Sequence, residues 1–334
     1  MNNNFKIFAI TLLSILLCSS IAAQTLYIDE QFDFTLSSGV VFASKSAGSP
    51  VANMDLALEL YQPSGAGVPA NRPAIILIHG GGFVIGNRFN ARLIGMCERL
   101  ARRGYTCVSI DYRLQGDDPV VGAPFAPIEN LFMLSGDPRS AAAAAATEDG
   151  WAAYQWLVNN ASSLGVDINR VAVGGSSAGA VTALYMGYTL DKTGVALPNT
   201  FAAVFNMWGV LVAPSSYIQT GDAPLLITHG DNDPTVNVSA AYTLETQSIA
   251  VGLTHESYIV AGAGHGYDIF TTLVTPSETM FDRVVDFFYQ HVALAEPAAH
   301  KVPMINNIAG IFLLVLLLVC GVYAYSRRVL LLKD

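Results

Sequence analysis

Apolar residues in this chain fall into short continuous runs, and stretches of helical periodicity separate most of them. Residues 74–78 are apolar throughout and too few for a helix, which predicts a central parallel strand covered on both faces. Similar runs at 105–112, 171–174, 201–208, 224–228 and 256–260 predict further strands. Helices are expected between them at 90–103, 141–159, 180–186 and 240–250, the last with Ser239 as N-cap. A closing amphipathic helix at 281–292 carries Val284, Val285, Phe287 and Phe288 near one face. Upstream, 26–28, 40–43 and 56–61 read as short edge strands, the last stopping at Pro63. The alternation predicts an α/β fold, a mostly parallel twisted sheet with helices on both faces. Residues 114–139 lack either period and carry Gly116, Pro119, Gly122, Pro124, Pro127 and Pro138, so they read as an irregular lid or pocket wall.

The two ends break this pattern. Residues 1–23 have a basic Lys6, an apolar run at 7–17 and small residues before Gln24, the layout of a secretory signal. A lipoprotein site does not fit, because Leu17 precedes Cys18. From Met304 to Ser326 there is no charge, and as a helix this run reaches across the ~30 Å hydrocarbon core. Arg327, Arg328 and Lys333 follow it and favour the cytoplasmic side. The expected organisation is a signal peptide (1–23), a catalytic domain (24–292), a linker (293–303), a C-terminal transmembrane helix (304–326) and a basic tail (327–334). The protein is then exported and membrane-anchored, its domain facing outward into periplasm or medium.

Charge narrows the partners. The whole chain carries −9, and without Lys6, Arg327, Arg328, Lys333 and Asp334 it keeps 13 basic and 25 acidic residues, or −12. Such a surface repels phosphate backbones, so nucleic acid is not expected as a partner. Only Cys97 and Cys107 fall within the expected domain. They have no C-x-x-C spacing for zinc or dithiol chemistry. They are expected close together, because a helix and its following strand pack antiparallel. Two separate buried thiols are the default reading, and a bridge is the alternative.

Chemistry concentrates where strands end. Residues 171–174 run into Gly175-Ser176-Ser177-Ala178-Gly179 and then into a helix, the setting of a G-x-S-x-G nucleophile elbow. The glycine frame selects Ser177 over Ser176. Three glycines, Gly80 to Gly82, follow His79 at the end of the 74–78 run, where backbone can approach a ligand closely. Asp233 and His265 each follow a later strand. Serine needs an imidazole to take its proton and a carboxylate to hold that imidazole. Asp231 competes for the acid role and His255 for the base. The His229-Gly230-x-x-Asp233 spacing favours Asp233, and His255 precedes its strand instead of following it.

With His79 to Phe83, Asp111-Tyr112-Arg113-Leu114, Gly175 to Gly179, His229 to Asp233 and Gly264-His265-Gly266 in that order, the sequence resembles the α/β-hydrolase superfamily, within it the HGGG-type carboxylesterases and lipases. The resemblance spans about residues 50 to 292. It implies a serine hydrolase of the α/β-hydrolase fold with no metal and no cofactor, catalytic Ser177, Asp233 and His265, and an oxyanion hole from the N–H groups of Gly81, Gly82 and Ala178. The serine motif lacks the acidic residue that many related esterases place before the serine. Phe125, Phe132 and Trp208 are candidates for an acyl pocket, with core packing as the alternative. His79 and His229 are expected to bond loop backbone, and Arg113 to act as a structural tie. The expected substrate is a small-molecule carboxylic ester. A polysaccharide-acyl esterase of acetyl or feruloyl groups is the related alternative, and a catalytically dead binding module the distant one.

Overall fold

The apolar runs pair as the alternation predicts, and the computed structural model describes residues 25–196 and 200–295. The expected signal segment, transmembrane helix, basic tail and most of the linker lie outside the described residues. No helix among the described residues is long and apolar enough to cross a membrane. The strands are β1 (Asp33–Ala47), β2 (Ala52–Ser64), β3 (Arg72–Ile78), β4 (Thr106–Ile110), β5 (Val166–Ser176), β6 (Ala203–Met207), β7 (Leu225–Gly230) and β8 (His255–Val260). They form one sheet in the order β1-β2-β4-β3-β5-β6-β7-β8. From β4 to β8 every pairing is parallel; β2 is antiparallel to both β1 and β4.

Alternation within the strands divides the core. Ile75 and Leu77 of β3 face α1 (Ala91–Arg102) and α6 (Met280–Phe288), where Leu93, Met96, Phe287 and Phe288 bury. Ala74, Ile76 and Ile78 face the other layer. That layer holds α2 (Ala126–Leu134), α3 (Ser140–Leu164), α4 (Ala178–Tyr188) and α5 (Ser239–Val251). Both faces of β3, β4, β6 and β7 are covered, so these strands need no polar side.

Several expectations are corrected. Residues 26–28 form a turn, not a strand, with Tyr27 at φ 71° packed on Tyr105. The runs at 40–43 and 56–61 lie inside a long two-stranded ribbon, and β2 continues through Pro63. Past Tyr61 only β1 remains paired to β2, so a proline without an N–H is tolerated there. The segment 114–139 is not irregular throughout: α2 lies in it, with Pro127 in the first turn, where no helical N–H is needed. Ser239 is the first helical residue of α5 and not its cap; Asn237 Oδ1 accepts from the Ser239 N–H at 2.9 Å. The closing helix ends at Phe288 and loosens into a π turn, Tyr289–Ala293. Cys97 of α1 and Cys107 of β4 are joined as a disulfide, Cα to Cα 5.1 Å, instead of standing as separate thiols.

Arg113, at the end of β4, ties the layers together. Its guanidinium is fully buried and donates to Asp149 Oδ1 and Oδ2 and to Glu148 Oε2, at 2.8–3.1 Å. It also donates to the carbonyls of Ser46 and Val120, joining β1, the 114–122 segment and α3. Burial would raise the Glu148 carboxyl, but the Gly122 N–H, Lys45 and Arg113 hold it below its ordinary range. Removing one partner leaves a buried charge uncompensated. Asp149→Ala is therefore expected to cost about 3–5 kcal/mol of stability, read from urea unfolding midpoints. A loss within ~0.5 kcal/mol, the range of ordinary surface substitutions, would show that the network does not hold the layers together.

Candidate active site

β5 enters α4 through a turn at Ser177, whose φ of 54° and ψ of −120° lie outside the regions that side chains favour. The turn closes only with small residues. A Cβ on Gly179 would stand 2.0 Å from the Ile78 carbonyl oxygen, and one on Gly175 would stand 2.4 Å from Gly179 backbone. The Ser177 N–H donates to Met207 O at 2.9 Å, and its side chain makes no cap bond to α4. The hydroxyl is thereby left for another partner. Ser176 stays buried in β5, opposite Met207.

That partner is His265, on the loop after β8. Its Nε2 lies 2.9 Å from Ser177 Oγ, and its Nδ1 lies 2.7 Å from Asp233 Oδ2. A carboxylate can only accept, so Nδ1 carries the proton and Nε2 receives the Ser177 O–H. Asp233 sits on the loop after β7 with its side chain fully buried. Its Oδ1 accepts from the N–H groups of Thr235 and Val236 at 2.8 and 2.9 Å. Burial would raise this carboxyl, but the His265 bond and the two N–H groups outweigh it and hold the pKa below its ordinary value.

The competing residues stand elsewhere. Asp231 is exposed in the turn and accepts from the Gly262 N–H at 2.6 Å. His255 begins β8 opposite Leu225, at the far end of the sheet from the triad loops. His229 Nε2 donates to Val236 O at 2.8 Å and lies 3.3 Å from Asp233 Oδ2. His79 Nδ1 donates to Gly80 O at 2.7 Å while its ring stacks on Tyr112, and burial lowers its pKa.

The glycine loop passes beside the serine: a Cβ on Gly80 would meet Ser177 Cβ at 3.2 Å. Gly81 has φ 121° and Gly82 φ 63°. No acceptor among the described residues takes the N–H of Gly81 or Gly82. Ala178 is the first residue of α4, where the N–H has no helical acceptor and the dipole favours negative charge.

Phe125 and Phe132 are core residues; Phe132 stacks on Tyr185 and meets Phe83 edge-on. Trp208 is also buried, but its ring lies edge-to-face 6.3 Å from His265. A cleft of about 590 Å³ opens beside Thr235 and Val236, the residues that follow the acid loop's Asp233. Val210, Leu211, Val236, Asn237, Leu244 and Arg139 are among its walls. Arg139 also donates to Gly82 O at 3.1 Å, so this cleft borders the glycine loop. The sequence reading missed these walls. They lie in three separated segments with no motif, and only the 114–139 proline cluster pointed to one of them.

A serine, an imidazole and a buried carboxylate in hydrogen-bonded series, each on a loop at the C-terminal end of a parallel strand, define a serine-hydrolase type of site. The sheet and its flanking helices have the α/β-hydrolase fold. A family model described as Phospholipase/Carboxylesterase matches residues 133–270, and one described as BD-FAE matches residues 58–129. The chain is similar to an AB hydrolase superfamily protein of Schizosaccharomyces pombe, 32% identical over 36% of this chain and 28% of that protein. It is similar to esterase LipI of Mycobacterium tuberculosis, 28% identical over 50% of this chain and 45% of that protein. The match thus spans under half the length of these curated relatives. Among solved structures, propionate-bound esterase 2 of Thermogutta terrifontis superposes with a TM-score of 0.58. That structure is 22% identical and covers 82% of this chain and 99% of its own; it supports the fold.

A carboxyl whose pKa is lower folded than unfolded adds stability above its unfolded value near ~4, and that stability is lost as pH falls through the folded value. Asp233→Asn removes this dependence. The wild type is expected to be more stable than Asp233→Asn at neutral pH, and the gap in Tm should close between about pH 5 and pH 2. A gap that stays constant over this range would contradict the lowered pKa.

Proposed function

We propose that this chain is a serine carboxylesterase acting on small-molecule esters through an acyl-enzyme. The observation that carries the reading is the unbroken series Ser177 Oγ to His265 Nε2 at 2.9 Å and His265 Nδ1 to Asp233 Oδ2 at 2.7 Å. Ser177 attacks the ester carbonyl as His265 takes its proton, and Asp233 holds the ring and balances the imidazolium. The N–H groups of Gly81, Gly82 and Ala178 receive the developing oxyanion, where one such donor supplies about 3 kcal/mol of transition-state stabilisation. His265 then returns its proton to the leaving alcohol. Water, activated by the same imidazole, releases the acid. The cleft bordered by Arg139 and Val236 takes one arm of the ester. The relatives named as esterases support this reading, as does the superposition on an esterase that in another structure is phosphorylated by paraoxon. The intact triad speaks against a catalytically dead binding module.

The proposal extends to location. The sequence pattern of 1–23 and 304–334 supports export and anchoring by a C-terminal helix, with the domain outside the membrane.

A panel of p-nitrophenyl esters of increasing acyl length tests the activity. Ser177→Ala should lose about 10⁴-fold or more in kcat, while Ser176→Ala keeps turnover within a few-fold. Retained hydrolysis by a folded Ser177→Ala protein would overturn the assignment. Deleting residues 303–334 should move the activity from the membrane fraction to the soluble one. Mature full-length protein that fractionates as soluble with its C-terminal peptide intact would refute the anchor.

A further inference from the structure

The loop that carries His265 is tied at its start to the acid loop. Gly262 N–H donates to Asp231 Oδ1, and Asn232 N–H donates to Ala263 O at 3.0 Å. Beyond His265 the tie is different. Gly266 has φ 82°, a left-handed turn that favours glycine. Among the described residues only Arg92 donates to the carbonyls of Gly266 and Tyr267, from Nη2 at 2.7 Å and 3.3 Å.

Arg92 comes from the first turn of α1, on the opposite side of the chain's order. Among the described residues it makes no ion pair, although Asp268 lies near enough to stabilise its charge. Its guanidinium instead lies 5.0 Å from the centre of the Trp208 ring. That ring meets Tyr267 at 4.8 Å and His265 at 6.3 Å, both edge-to-face. Trp208 has φ 46°, outside the usual range for an aromatic residue, and the Tyr267 hydroxyl bonds Thr228 Oγ1 of β7. A guanidinium with no ion-pair partner among the described residues, facing two carbonyls and an indole around the imidazole of His265, is arranged to hold those groups in place.

We propose that Arg92 is a positioning residue that clamps the His265 loop, through the Gly266 and Tyr267 carbonyls and the Trp208 ring, so that Nε2 stays on Ser177 Oγ. This rests on the esterase reading for its kinetic test alone. Without the clamp the loop is hinged at two glycines, and the imidazole drifts from the serine. A misplacement of about 1 Å at such a contact costs on the order of 100-fold in rate. Lysine can place a charge over Trp208, but it lacks the planar fork that reaches two carbonyls.

The test measures Arg92→Gln, Arg92→Lys and a control, Arg99→Gln, in the full chain. Arg99 is exposed on the same helix and stacks on Phe270. Arg92→Gln should lower kcat about 10- to 100-fold with KM changed less than threefold, while Arg99→Gln keeps both. Arg92→Lys should fall between wild type and Arg92→Gln. The second readout needs no substrate: the downfield proton resonance of His265 Nδ1–H should be sharp in wild type and Arg99→Gln, and broadened by exchange in Arg92→Gln. A wild type that hydrolyses no ester sinks the esterase reading and leaves this resonance to judge the clamp. Folded Arg92→Gln with wild-type kcat and a sharp resonance overturns the proposal. If Arg92→Gln does not fold, Arg92→Lys with unchanged kcat and resonance overturns it equally.

Discussion

The site depends on how closely the first turn of α4 approaches the end of β3. Gly179 leaves room for the Ile78 carbonyl where a Cβ would stand 2.0 Å away. That contact brings the helix N-terminus, the nucleophile and the glycine loop to one point, because β3 ends where the loop begins. Gly175 yields on the other side of the turn. An alanine at either place would push α4 outward and carry Ser177 and Ala178 with it. The unfavourable backbone at Ser177 is therefore imposed from outside, by two strands and a helix that are each buried and have nowhere to relax.

The electrostatics follow from that geometry. Asp233 is buried, yet it stays ionised because two N–H groups and His265 supply what water would have given. Its charge then fixes the tautomer of His265 and leaves Nε2 as an acceptor toward the serine. On the other side, the N–H groups of Gly81 and Gly82 are left without an acceptor among the described residues. Both glycines are half-buried, so water can reach these donors, and in the proposed mechanism the substrate's developing charge takes that water's place. The hydrogen-bonded series is thus complete on the side of His265 and Asp233, and donors remain open on the side of the glycine loop.

Much of this was readable along the chain. The run at 74–78 and the next four, from 105–112 to 224–228, are strands because a segment buried on both faces has no polar alternation to hide. The triad followed from loop position and from the glycine frame around Ser177. What sequence could not supply falls into three kinds. Pro127 concealed α2, because proline is hostile inside a helix but neutral in its first turn. The ribbon of β1 and β2 escaped because its outer strand is mostly solvent-facing, and its runs are broken by polar residues. The closeness of Cys97 and Cys107 followed from a helix packing antiparallel to its next strand, but whether the thiols bond, and the Arg92 contacts, are tertiary, and no periodicity encodes them. The candidates Phe125 and Phe132 show the same limit: an aromatic residue in a loop-like stretch reads alike whether it lines a pocket or packs a core.

Helix α1 links the two halves of the site. The glycine loop runs from His79 to Asn90, which caps the helix by accepting from the N–H groups of Arg92 and Leu93. Just before the cap, Arg88 bonds Glu59 and Asp111, so the end of that loop is held against β2 and β4. Two residues after the cap, Arg92 reaches the His265 loop. Five residues further along the helix, Cys97 is bonded to Cys107 of β4. The first turn of α1 thus touches the glycine loop by chain continuity and the His265 loop by hydrogen bonds, while its next turns are held against the sheet. A shift of this one helix would therefore pull on the glycine loop and the His265 loop at once.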